Sequence, residues 1–68
     1  MDAEELYQGL ARHDLNLNNA CTAIMLQTKA VINPSHLRTS LDRYGRLSEP
    51  MTAVFRFLFQ ELEYARKD

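Results

Sequence analysis

Three side chains in this sequence are suited to chemistry near neutral pH: His13, His36 and Cys21. A histidine set beside a serine or cysteine would point to an activated nucleophile and acyl transfer, and a compact His/Cys cluster would point to zinc. Neither pattern is present. Ser35 adjoins His36, but the pair falls in what reads as the first turn of a helix, where serine has a capping role. Cys21 lies on the apolar face of another helix, where a free cysteine behaves as a small hydrophobe. The three residues are too widely spaced for a zinc motif, and Gly9 and Gly45 alone cannot build a phosphate-cradling loop. The sequence therefore predicts no catalytic residues, no metal and no cofactor, and a protein that is not an enzyme.

The elements that would carry any other function are helical. No strand-like alternation occurs, and four amphipathic segments emerge at about 2–13, 17–31, 34–44 and 49–66. In the first, Asp2 is placed to cap, and Ala3, Leu6, Tyr7, Leu10 and Ala11 share a face; Gly9 falls outside it and costs helix propensity. Asp14 to Asn19 breaks the pattern, with Asn16 or Asn18 as the next cap. The second helix carries Leu17, Ala20, Cys21, Ile24, Thr28 and Val31 on one side and Ala23, Leu26 and Ala30 on another. Apolarity all round predicts a central, largely buried helix.

Asn33-Pro34 and Gly45 bracket the third helix. Asparagine caps, proline at the first position needs no N–H, and glycine ends a helix in the left-handed conformation. Leu37, Leu41 and Tyr44 form its narrow apolar stripe, and Arg38 and Asp42 have i,i+4 ion-pair spacing. Ser48-Glu49-Pro50 opens the fourth helix, whose far end has Arg66 and Lys67 to complement the dipole. The expected architecture is a single all-α domain over 1–68, a bundle of three to four helices in antiparallel or orthogonal packing, with the second and fourth at its centre.

The spacing of Tyr7, Leu10, Ala11, Ala23 and Ala30, over about half the chain (residues 4–37), resembles one tetratricopeptide repeat. The likeness implies peptide or helix binding. Asp14 and Gln27 stand where that repeat places apolar residues, Pro34 comes one position early, and no second copy follows.

Composition sets further bounds. Sixty-eight residues bury only about 60% of the surface that the unfolded chain exposes, so a chain of this size leans on outside support. A single cysteine gives no internal disulfide and fits a reducing compartment. The acidic start, Met1-Asp2-Ala3-Glu4-Glu5, is unlike a secretory signal, and no apolar run approaches a membrane span, which together predict a cytoplasmic protein with no membrane association.

The fourth helix has more apolar surface than one core contact needs. Met51, Val54, Phe55, Leu58, Phe59, Leu62 and Ala65 cluster on a broad side, while Ala53, Phe57 and Tyr64 form a second stripe roughly opposite, flanked by Gln60 and Glu61. Ala53, Phe57, Gln60 and Tyr64 are thus the candidate partner-binding residues of a small adaptor, co-chaperone or regulator, and the expected partner is another protein or a second copy in a homodimer. The alternative is a helix-turn-helix-like DNA-binding regulator that reads DNA with the third helix, through Arg38, Thr39, Arg43 and Arg46 with Ser35 and His36 nearby. A net charge of −1 and Asp42 on the same side weigh against nucleic acid.

Overall fold

A computed structural model of the chain describes residues 1–66. The order is α1 (Ala3–Arg12), α2 (Leu17–Thr28), α3 (Pro34–Tyr44) and α4 (Glu49–Arg66), with no strand among the described residues. Lys67, expected to complement the α4 dipole, lies outside them. No helix of the described residues is long and apolar enough to cross a membrane.

Each helix begins where a side chain can replace the missing backbone acceptor. Asp2 Oδ1 accepts from Glu5 N at 2.8 Å, Asn16 Oδ1 from Asn19 N at 2.8 Å, and Asn33 Oδ1 from Ser35 N at 2.9 Å. Ser48 has the corresponding position before α4, its carbonyl accepting from Thr52 N at 2.8 Å. The ends of the first three helices each use a left-handed residue, and only one of these is glycine. Gly45 (φ 70°) ends α3, Lys29 (φ 63°) ends α2, and Asp14 (φ 55°) follows α1. After α1, Leu15 N donates to Leu10 O and Asp14 N to Ala11 O, the paired bonds of a Schellman motif. Leu10 is buried in the core and Leu15 is partly buried against that core, as the hydrophobic positions of the motif usually are.

The core is built from every helix: Leu6 and Leu10, Leu17, Ala20, Cys21 and Ile24, Leu37 and Leu41, and Phe55 and Leu58, with Leu47 from the α3–α4 connection. α2 packs against both α3 and α4. The start of the chain is tied down by backbone: Ala3 N donates to Gly45 O at 2.9 Å and Leu47 N to Met1 O at 2.8 Å, an isolated antiparallel bridge of Asp2 with Arg46.

Four local expectations are corrected. α2 stops at Thr28 rather than Val31, because Lys29 turns left-handed and its N–H closes on Met25 O at 2.8 Å. As a result α2 is not apolar-packed all round: Leu26 is 76% and Val31 86% exposed, and Ala30 is also at the surface. Tyr44 leaves the α3 stripe for solvent, where the Arg43 guanidinium sits 5.7 Å from its ring centre. Gly9, expected on the outside of α1, is buried against α4; a Cβ there would stand 2.6 Å from Phe59 Cε2. Glycine is the one residue that lets the Phe59 ring lie directly on the α1 backbone.

Candidate functional site

The inner face of α4 follows the broad stripe seen in the sequence. Phe55 and Leu58 are fully buried, Met51, Val54, Phe59 and Leu62 are partly buried against the core, and Ala65 is exposed at the far end. Phe59 is flanked by two aromatic neighbours: the His13 ring stacks on it at 5.8 Å and 19°, and Phe55 tilts against it at 6.2 Å. His13 is the C-cap residue of α1, and its Nε2 is buried without a hydrogen-bond partner. The Arg12–Glu63 ion pair, 3.3 Å long and exposed, bridges the same seam between α1 and α4.

The opposite face of α4 is open. Phe57 is 46% and Tyr64 79% exposed, and Ala53 and Gln60 also lie at the surface. Helical spacing sets these four residues in one strip about 16 Å long, pointing away from the side that carries Phe55 and Leu58. Arg56 and Glu63 border the strip on one side and Glu61 on the other, all exposed. At its N-terminal end the strip runs into an open cleft of about 610 Å³, where Arg46 of the α3–α4 connection and Arg56 flank Ala53. The four sequence-derived interaction residues therefore come together on one surface.

The residues of the alternative nucleic-acid face are more scattered. Arg38, Thr39 and Arg43 are exposed on α3, whereas Arg46 lies beyond Gly45 in the bridge with Asp2. The Thr39 hydroxyl donates to Ser35 O at 3.0 Å, and Arg43 rests over Tyr44. Arg38 and Asp42 do not form the ion pair their spacing allows.

The groups capable of chemistry lie on three different elements. Cys21 is buried on α2, and burial pushes its thiol pKa up, away from the nucleophilic thiolate. His36 is exposed on α3, while His13 is enclosed at the α1–α4 seam. No group of His, Cys, Asp or Glu among the described residues is arranged to hold a metal ion. Of the residues that resemble a tetratricopeptide repeat, Tyr7 and Ala11 are exposed and Ala30 lies beyond the end of α2.

A second apolar surface was not anticipated. Met25 is 42% exposed near the end of α2 and lines one shallow depression with Val31. The residue types gave no signal for it: Lys29 ends the helix in the left-handed conformation, which strips Ala30 and Val31 of the helical register assigned to them. Compared with known protein families, curated proteins and solved structures, the chain matches none of them.

Proposed function

We propose that this protein is a non-enzymatic interaction module, an adaptor, co-chaperone or regulator that binds a helix of a protein partner along the outer face of α4. One observation supports this above the rest: Phe57 and Tyr64 stand in solvent on the face opposite Phe55, in line with Ala53. Exposed aromatics aligned on a rigid helix bury large area on binding at small cost in side-chain entropy. Arg56, Glu61 and Glu63 supply a polar border of the kind that surrounds such anchors. The placement of His13, Cys21 and His36 on three different elements, with Cys21 buried, supports a binding role over a catalytic one.

The test is photo-crosslinking from within the strip. A photoreactive residue at Gln60, irradiated in cells that express the protein, is expected to give discrete protein adducts, and the same residue at Arg38 is expected to give none. Adducts at Gln60 should vanish when Phe57→Ser and Tyr64→Ser are combined, with helicity by circular dichroism unchanged. Absence of adducts at Gln60, or loss of helicity in the double variant, overturns the assignment of this face.

A further inference from the structure

The geometry points to a second copy of the chain as the occupant of the α4 face, in a two-fold symmetric pair with the two α4 helices antiparallel. This rests on the α4 outer face being the binding surface, and adds who binds it and in which register. A two-fold interface must be self-complementary, so that a residue which meets another is met by it in return. The outer strip satisfies that condition in both size and charge.

With Phe57 and Tyr64 as seam positions a, Ala53 and Gln60 fall at d and Arg56 and Glu63 at the flanking g positions. Running the helices antiparallel with Ala53 opposite Tyr64 of the second copy also sets Phe57 opposite its Gln60. Every layer then pairs an aromatic with a smaller side chain. Ala53 leaves the room that the Tyr64 ring fills. In the same register Arg56 comes alongside Glu63 of the second copy, and the symmetry repeats the pair. Among the described residues Arg56 makes no ion pair, so its guanidinium is available for this contact. Glu63 holds Arg12 through one oxygen, Oε1, and keeps Oε2 for a second cation.

Parallel helices fit less well. Each layer would then stack a residue on itself, with Ala53 against Ala53 leaving a gap and Tyr64 against Tyr64 crowding two large rings into one layer. The helix dipoles would also lie side by side in the same sense. A strip about 16 Å long is short for a stable interface, so the pair is expected to exchange with monomer on dilution.

Sedimentation velocity of the full chain over a concentration series tests the proposal. The wild type is expected to pass from monomer to twice the chain mass. Arg56→Glu turns both ion pairs into repulsions and should raise the midpoint concentration about tenfold. Adding Glu63→Arg to Arg56→Glu should return it to within about threefold of wild type, whereas adding Glu61→Arg should not. Thermal melts of each variant, run below the association range, separate loss of the Arg12–Glu63 contact from loss of pairing. Rescue by Glu61→Arg overturns the antiparallel register, and rescue by neither overturns the ion pairing. A wild type that stays monomeric throughout overturns the second copy as occupant. In that last case Gln60 adducts to a different protein would leave the α4 binding face standing, and absence of any adduct would remove both.

Discussion

Phe55 and Phe57 are the same residue two positions apart on one helix, yet the first is fully enclosed and the second is nearly half in water. Phe55 is held by the core that α4 shares with the rest of the chain and touches Phe59. Phe57 faces outward with Tyr64 and has no ring contact among the described residues. The difference separates the two sides of α4: its inner face is part of the core, and its outer face, open to solvent, is the one proposed for recognition. Folding stability and association should therefore respond to different substitutions.

The largest expected effect comes from Phe55→Ala, which empties a site closed on all sides and should cost about 3–5 kcal/mol. In a chain of 68 residues that is a large share of total stability, and thermal denaturation should show a strongly lowered or absent transition. A loss below about 1 kcal/mol would mean that the two faces are not distinct in energy. Next is Gly9→Leu, which drives a side chain into the Phe59 ring and should cost about 1–3 kcal/mol. Gly9→Ala should cost less, because its helix propensity returns about 1 kcal/mol. Combining Gly9→Ala with Phe59→Leu should recover stability if that contact is the cause.

His13→Phe sharpens the comparison in the other direction. It keeps a flat ring against Phe59 and removes a buried nitrogen without a partner, so it should stabilise the fold by about 1 kcal/mol. A destabilised variant would show that the imidazole makes a contact its ring stacking does not account for. The smallest effect on stability belongs to Phe57→Ser with Tyr64→Ser, expected within about 0.5 kcal/mol per site by thermal melting. The same pair should abolish association. A fold that melts on this change would place Phe57 with Phe55 and end the distinction.

Much of this architecture could be read in the sequence, and the reasons differ between elements. The α3 limits are those expected because Asn33, Pro34 and Gly45 act through their own backbones and side chains. The two faces of α4 follow from periodicity alone, since Phe55 and Phe57 are separated by about 200° around the helix. The end of α2 was hidden because lysine carries no signal for the left-handed conformation, and Ala30 and Val31 prolong the apolar pattern past the true stop. Gly9 was hidden for another reason. Its value lies in Phe59, fifty positions further along the chain, and one-dimensional periodicity holds no record of that approach. The four residues of the α4 strip were legible as a surface; the occupant proposed for it lies in a second molecule, which one chain's periodicity does not describe.

The bridge between residues 1–3 and 45–47 gives the molecule a property that its helices alone would not. Its two hydrogen bonds turn a string of helices into a closed ring of backbone, joined at points more than forty residues apart. Closing so long a loop carries an entropic cost that local helix formation does not, of the kind that slows folding when contacts are distant in sequence. The Ala3 and Leu47 amides are thus natural reporters for native-state hydrogen exchange. Their protection measures how often the ring opens while the helices themselves remain intact.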